Sequence, residues 1–217
     1  MFSRIKKEIA YTAAVLYTKN LNSATGGSMC VREGGYIVTT PHAHVARAVG
    51  RTEGMELRPE DLVVIDIKTE KVVEGKGKPS NCTPWYLMIL REFPEVKAII
   101  HAHSPYLSYF STVPEDVPAI SSLAKHFVGD IPVAKIDVSD LPADANFGHP
   151  KWDERTKKAV LATINRRREE LKEHGLAFNM HNHPVWAIGK SISEAFVTLE
   201  AAEEAAKIYM WTKLLRR

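Results

Sequence analysis

A short apolar strand that ends in two histidines is the feature that most constrains this chain. Residues 96–100 are rich in valine, isoleucine and alanine and lie between Pro94 and Pro105, which is typical of a buried strand. Residues two apart on a strand point to the same face, so His101 and His103 are predicted to project side by side. The chain is therefore predicted to build a sheet with two imidazoles at one strand end, where they could share a metal ion.

The spacing of these histidines leaves two interpretations open. They are either paired metal ligands or partly buried imidazoles bonded to the backbone, and an H-x-H pattern is a weak signal by itself. A second histidine motif, at residues 181–183, ends another apolar strand much later in the chain. Zinc used for chemistry typically has three protein ligands and one open position, so the combination favours a metal site.

Strands and helices alternate along the rest of the chain. The other predicted strands are residues 30–32, 36–40, 62–67, 71–74, the segment "DIPVAKIDV", and two pieces bent near His183-Pro184. The first predicted helix is amphipathic, and its buried face carries Ile5, Ile9, Ala13 and Leu16. A second helix runs from an N-cap at Thr83 to about Glu92, and another follows Ser104-Pro105. A long charged helix ends at Gly175, and a last helix begins with a Ser191–Glu194 capping box. This interleaving predicts a mixed sheet with helices on both faces, in a single domain over residues 1–217.

Composition narrows the class of protein. The 217 residues are 45% hydrophobic and 25% charged, which is enough to bury a core, and the net charge of +3 is too small to indicate nucleic acid or a membrane surface as partner. The basic and apolar start is interrupted by Glu8, and no apolar run is long enough to span a bilayer. Two cysteines provide no disulfide framework, so we expect a cytoplasmic protein.

Three further segments carry candidate functional residues. The "SATGGS" turn could hold a phosphate on its backbone N–H groups, or be only a turn. In "TTPHAH", His42 and His44 could be bases, extra ligands or surface imidazoles. Cys82 precedes a predicted helix N-terminus, where a thiolate is favoured, but it could equally be a small buried hydrophobe.

Six segments occur in the order of a known family pattern: "TGGSMCVR", "TTPHAH", "LRPEDLV", "KPSNC", "VKAIIHAHSP" and "NHP". Over most of its length the chain thereby resembles the class II aldolase/adducin family. The resemblance implies a three-layer αβα domain with a mixed, largely antiparallel central sheet. It also implies a homotetramer with active sites at the subunit interfaces.

The same resemblance assigns roles to residues. His101, His103 and His183 look like the family's three histidine ligands for a divalent metal, usually zinc, which acts as a Lewis acid when a carbon–carbon bond breaks. The residues at positions where the family binds the substrate and its phosphate are Thr25, Gly26, Gly27, Ser28, Thr40, Ser80 and Asn81.

The departures from the family pattern fall on the active site. Cys82 stands where the family has its acid/base carboxylate, Ser28 replaces an asparagine, and Asn81 replaces a serine. His42 and Ala43 replace a serine and a glycine, so we expect ordinary sugar phosphates to bind poorly. We expect Cys82 to lie near the metal, where its thiol could be a fourth ligand.

These features predict a metal-dependent carbon–carbon lyase that acts on a small hydroxycarbonyl or sugar-derived substrate, not necessarily phosphorylated. Cys82, His42 or His44 would replace the missing carboxylate in proton transfer. Two alternatives stay open. One is a non-catalytic scaffold domain like that of the adducin branch, and the other is a decarboxylase, epimerase or dehydratase of the same family.

Overall fold

The computed structural model describes residues 2–22, 26–42, 57–136, 139, 141 and 150–215. The helices in this part of the chain are α1 (Ser3–Thr18), α2 (Thr83–Glu92), α3 (Pro105–Thr112), α4 (Ser122–Phe127), α5 (Pro150–Arg166) and α6 (Ile192–Leu215). Two short 3-10 turns, Pro59–Asp61 and Arg168–Lys172, accompany them. None of the helices in these ranges is long and apolar enough to cross a membrane.

One sheet contains the eight described strands. They are β1 (Ser28–Glu33), β2 (Tyr36–Thr39), β3 (Val63–Asp66), β4 (Val72–Glu74), β5 (Ala98–His101), β6 (Val133–Ala134), β7 (Leu176–Met180) and β8 (His183–Gly189). Their order across the sheet is β4-β3-β2-β1-β5-β8-β7-β6. Only the β6–β7 pair is parallel among the described strands, so the predicted mixed, largely antiparallel sheet is confirmed.

Helices cover both faces of this sheet, as predicted. Side chains of α1, α3, α4 and α6 join one apolar cluster, and those of α2 and α5 join the other. The central strand β5 contributes Ile100 to the first cluster and Ile99 to the second, which explains why its sequence is apolar at successive positions. The three-layer αβα architecture is therefore confirmed, and His101 points to the same side as Ile99, toward α2 and α5.

Several local predictions are confirmed by the structure. The predicted face of α1 is buried, and the β3–β4 hairpin forms where the sequence places it. Ser191 caps α6 by accepting a hydrogen bond from the Glu194 backbone N–H at 3.1 Å. The predicted capping box is half formed, because the Glu194 carboxylate accepts from the N–H of Lys190.

Three boundary predictions are wrong. Cys82, not Thr83, occupies the N-cap position of α2. The long charged helix ends at Arg166 instead of Gly175, because Arg167 leaves helical geometry and its guanidinium bonds to the carbonyl oxygen of Val128 at 2.7 Å.

The third concerns the sheet. Within the described part of "DIPVAKIDV", only Val133–Ala134 is strand. The bend predicted near His183-Pro184 is present, and it lies just before these residues, which begin β8. There Asn182 adopts a left-handed φ of 54°, a conformation that asparagine tolerates better than most residues.

Candidate metal centre

Three imidazoles from distant parts of the chain meet at one end of the sheet. His101 is the last residue of β5, His103 follows two residues later, and His183 is the first residue of β8. Their potential ligand nitrogens all lie within 4.8 Å of one another. The Nε2 atoms of His101 and His103 are 3.1 Å apart, and the rings of His101 and His183 stack with centroids 4.6 Å apart.

This geometry fits a divalent metal ion. Nitrogen ligands of a tetrahedral zinc ion lie about 3.3 Å from one another, given zinc–nitrogen bonds of about 2.0–2.1 Å. His101 Nδ1 is 3.1 Å from the carbonyl oxygen of Val185, so a proton on Nδ1 leaves Nε2 free to ligate. A histidine whose second ring nitrogen donates to a backbone carbonyl is the usual arrangement at metal sites.

The electrostatics of the three imidazoles also suit a metal. Burial lowers the pKa of His101 far below its usual range, and the neighbouring His183 and His103 lower it further. Burial, with a smaller effect of His103, lowers the pKa of His183 to about 4, and burial lowers that of His103 as well. All three rings are therefore neutral near pH 7, which is the form that binds metals.

The sheet register explains why these residues meet. In the β5–β8 ladder His101 lies opposite Trp186, and the backbone N–H of Ala102 donates to Val185 O at 3.0 Å. The β7–β8 turn then places His183 beside them. His181, the other histidine of that motif, is outside the three-histidine group and is hydrogen-bonded to the backbone of Ile136.

A wall of aromatic side chains supports the three histidines. Trp186 is fully buried and stacks on His101 with ring centroids 5.0 Å apart. Trp152 contacts His183 edge-on at 6.5 Å, and Trp85 contacts both tryptophans at 6.4 Å. Sequence reasoning did not identify this wall, since isolated tryptophans carry no local sign of what they pack against.

Cys82 lies in a buried polar pocket next to the histidines. Its thiol is hydrogen-bonded with the side chains of Ser28, Ser80 and Tyr86, and the hydroxyls of Ser28 and Tyr86 are bonded to each other. Ser28 lies opposite His101 in the β1–β5 ladder, so this pocket adjoins the metal-binding geometry. Tyr86 had not been singled out from the sequence.

The structure also bears on whether the Cys82 thiol belongs to the ligand group and on whether it is ionised. Among the described residues, the group of potential ligand atoms contains the three histidines and not Cys82. Burial raises the pKa of the Cys82 thiol, and the three hydrogen bonds offset this only in part. Of the two interpretations left open for Cys82, burial favours the neutral, buried thiol in the protein without metal, because desolvation disfavours the charged form.

The glycine turn lies against the metal-binding geometry. A Cβ atom on Gly26 would lie 2.5 Å from the His103 ring, so any larger residue there must displace the ring or the turn. Gly27 has a φ of +84°, and a Cβ there would lie 2.4 Å from the Asn22 side chain. Thr25 of this turn lies outside the described residues.

The remaining predicted site residues differ in their surroundings. Thr40 is buried, and its hydroxyl oxygen accepts from the Met29 N–H at 3.2 Å. Ser80 Oγ accepts from the Cys82 N–H at 3.2 Å, whereas Asn81 is exposed. His42 is partly exposed, with its backbone N–H bonded to Lys78 O at 2.7 Å, and His44 lies outside the described residues.

Two buried polar side chains near the histidines also escaped sequence reasoning. Asn22 Oδ1 accepts from the backbone N–H of His103 at 2.9 Å. The Glu203 carboxylate of α6 accepts from the N–H groups of Tyr106 and Leu107 at 2.9 and 3.0 Å, which caps the start of α3. No local motif marks either residue, because each contacts a segment that is distant in the sequence.

The chain belongs to the class II aldolase and adducin N-terminal domain family, whose model matches residues 7–210. The family resemblance of the six sequence segments is thereby confirmed. Membership of this family, together with the aldolase names of its relatives, supports a lyase of the aldolase type that acts on a small molecule.

Individual relatives agree with this assignment over nearly the whole chain. The chain is 28% identical to 5-deoxy-D-ribulose 1-phosphate aldolase of Bacillus thuringiensis serovar kurstaki, over 98% of this chain and 87% of the relative. It is 26% identical to L-fuculose phosphate aldolase of Methanocaldococcus jannaschii, over 98% of this chain and 99% of that protein. A solved structure of L-fuculose 1-phosphate aldolase superimposes with a TM-score of 0.78 at 26% identity, covering 99% of this chain and 89% of that one.

Proposed function

We propose that this protein is a metal-dependent carbon–carbon lyase of the aldolase type. In this proposal His101, His103 and His183 hold a divalent ion, with zinc as the first choice. The observation that carries it is the convergence of three neutral imidazoles whose ligand nitrogens lie within 4.8 Å of one another. Neutral nitrogen ligands of this kind suit zinc.

A bound divalent metal would supply Lewis-acid stabilisation of the negative charge that develops on the substrate carbonyl as the bond breaks. The protein's own residues set up that role. Val185 fixes the His101 tautomer, Trp186 holds the plane of that ring, and burial keeps the rings unprotonated. The ligands are therefore held ready before a metal arrives.

We further propose that the Cys82 thiol delivers a proton to the carbon released by the cleavage. Aldol cleavage also requires a base that accepts the proton of the substrate hydroxyl, and His42 and His44 are the candidates for that step. The raised pKa of Cys82 supports its part, because the thiol keeps its proton at neutral pH. Its partners Ser28, Ser80 and Tyr86 hold the sulfur in place.

The proposed substrate is a small hydroxycarbonyl compound without a phosphate group. The relatives named above act on sugar phosphates according to their names. In this chain, however, the hydroxyls of Ser28, Ser80 and Thr40 already bond to other groups of the protein. The hydroxyls of Ser80 and Thr40 accept in these bonds and can still donate to a substrate, so weak phosphate binding is supported instead by His42 and Asn81, which replace two serines of the family pattern.

A paired substrate panel tests this function. Zinc-loaded protein is assayed with hydroxyaldehyde–ketone aldol products in phosphorylated and unphosphorylated forms, with detection of the released carbonyl fragment. We expect zinc-dependent cleavage that favours the unphosphorylated member of a pair. Fully zinc-loaded protein that cleaves no member of the panel would contradict the proposal.

A non-catalytic domain like that of the adducin branch is the second candidate. The cysteine in place of the family carboxylate favours it, since a buried thiol is a poor general base. His101→Ala separates the candidates. A folded variant that has lost both metal and activity supports catalysis, whereas a variant that unfolds supports a structural metal.

We also propose a homotetramer with active sites at the subunit interfaces, in keeping with the family resemblance. Exposed apolar side chains at the end of α6, Trp211, Leu214 and Leu215, support contact with another copy. Light scattering at micromolar concentration tests this, and a monomer would contradict it.

A further inference from the structure

Asn22 joins two segments that the proposed function uses separately. It lies between α1 and β1 and is 7% exposed. Its Oδ1 accepts from the backbone N–H of His103 at 2.9 Å, while its Nδ2 donates to the carbonyl oxygen of Gly26 at 2.6 Å. One amide side chain therefore connects the segment that carries two metal ligands to the glycine turn.

The packing around Asn22 leaves little room for movement. The Cα of Gly26 faces the His103 ring so closely that a Cβ there would lie 2.5 Å from the ring. Gly27, in the left-handed region at φ +84°, packs against the Asn22 amide, where a Cβ would lie 2.4 Å from Nδ2. A shift of the glycine turn must therefore move Asn22, the His103 backbone, or the ring itself.

The neighbouring backbone is fixed by different groups. Ala102 N–H donates to Val185 O in the sheet at 3.0 Å. Further along, Glu203 holds the N–H groups of Tyr106 and Leu107. These bonds anchor the segment to β8 and α6, whereas the bond at His103 anchors it to the glycine turn.

We propose that Asn22 is a positioning residue that couples the conformation of the glycine turn to the metal affinity of His101, His103 and His183. The coupling rests on the proposed function only in that these histidines must bind a metal. Because linkage is reciprocal, metal binding should in turn stabilise the observed conformation of Gly26 and Gly27. Outer groups that orient metal ligands typically change metal affinity by about 10- to 100-fold when they are removed.

The test compares Asn22→Ala with Asn179→Ala as a matched control. Asn179 is also a buried asparagine, and its Nδ2 donates to Leu107 O at 3.0 Å, beyond the ligand residues. Zinc affinity is measured by competition with a chromophoric chelator, and the thermal midpoint of the metal-free protein is measured in parallel. We expect Asn22→Ala to weaken zinc binding by about 10- to 100-fold. We expect Asn179→Ala to lower the thermal midpoint while keeping wild-type zinc affinity.

Hydrogen exchange provides a second readout that a merely structural role would not change. Zinc is expected to slow exchange at the amides of Gly27 and Ser28 in the wild type and to lose this effect in Asn22→Ala. Equal zinc affinity in the wild type and Asn22→Ala, or equal slowing of exchange in both, would overturn the coupling alone. A wild type that binds neither zinc, cobalt nor manganese would overturn both the coupling and the proposed function.

Discussion

The three histidines and the Cys82 pocket lie side by side, yet burial affects their chemistry in opposite ways. Desolvation disfavours the charged form of any group, so it lowers the pKa values of the imidazoles and raises that of the thiol. A neutral imidazole is ready to bind a metal, whereas a neutral thiol is not. The comparison indicates three neutral imidazoles, the form that could bind a metal, beside a sulfur that retains its proton.

Removing one of the three imidazoles should reduce zinc affinity more than any other substitution. His101→Ala deletes the central ring of the group, which contacts both other histidines and Trp186. We expect zinc affinity to fall by more than about 100-fold, the upper end of the range for outer groups, because a direct ligand is lost. Elemental analysis of the purified variant and chelator competition measure this loss.

His181→Ala is the matched control for that variant. It removes a histidine from the same sequence motif as His183 but from outside the three-histidine group. It should keep stoichiometric zinc. If His181→Ala loses zinc as His101→Ala does, the assignment of the ligand set is incorrect.

Cys82→Ser tests the other half of the comparison. Serine keeps a hydrogen-bonding group beside Ser28 and Tyr86 but is a much weaker acid than a thiol. We expect turnover to fall by about 100- to 10,000-fold, the usual contribution of a general acid. Zinc affinity should stay close to that of the wild type.

Cobalt substitution shows directly whether sulfur contacts the metal. The proposal predicts no thiolate-to-cobalt charge-transfer absorption at neutral pH, and identical spectra for the wild type and Cys82→Ser. A charge-transfer band that disappears in the variant would identify Cys82 as a fourth ligand instead.

The histidine group should lower the free energy of unfolding at acidic pH, and Cys82 should lower it at alkaline pH. The folded pKa of His183, about 4, is below its ordinary 6.5, so the unfolded chain binds more protons between these values. The metal-free protein should therefore gain stability as pH rises from about 4 to 6.5, by up to roughly 3 kcal/mol from this group. The raised pKa of Cys82 acts in the other direction, and stability should fall as pH rises above its ordinary 9.0.

Denaturant unfolding at a series of pH values measures both parts of this profile, the rise in stability at acidic pH (the acidic limb) and the fall at alkaline pH (the alkaline limb). His183→Ala should reduce the slope of the acidic limb and leave the alkaline limb unchanged, with His101 and His103, whose pKa values burial also lowers, accounting for a residual acidic slope. Cys82→Ser should reduce the alkaline limb, with Cys30, whose pKa burial also raises, accounting for a residual slope. A stability profile that is unaffected by both variants would contradict the assigned effect of burial.

The same contrast explains how far the sequence alone could lead. The strand with His101 was recognisable because apolar periodicity is local, and the family pattern connected it to His183. Asn22, Tyr86, Trp186 and Glu203 were missed because each acts through a contact across the sheet or between helices that no local pattern encodes. The protonation state of Cys82 was left open for a related reason, since the helix terminus is visible in the sequence and the depth of burial is not.

Among the substitutions that should weaken zinc binding, Gly26→Ala should weaken it least. It tests whether the position of the His103 ring depends on the glycine turn. The added methyl group would lie 2.5 Å from the His103 ring, so either the ring or the turn must move. Gly26 is in the ordinary backbone region, so the variant introduces no left-handed strain of its own. We expect zinc affinity to fall by about 10-fold, at the lower end of the range for outer groups, because the turn can absorb part of the displacement.

Gly35→Ala is the control, since a Cβ at that position meets no atom within 4 Å and its φ is also ordinary. This variant should match the wild type in zinc affinity and in thermal midpoint.

Combining Gly26→Ala with Asn22→Ala then sharpens the comparison. If both changes weaken zinc binding by loosening the contact between His103 and the turn, the loss of binding free energy in the double variant should be smaller than the sum of the two single losses. The reason is that the same contact cannot be lost twice. Full additivity would mean that the methyl group displaces the ring by a route independent of Asn22.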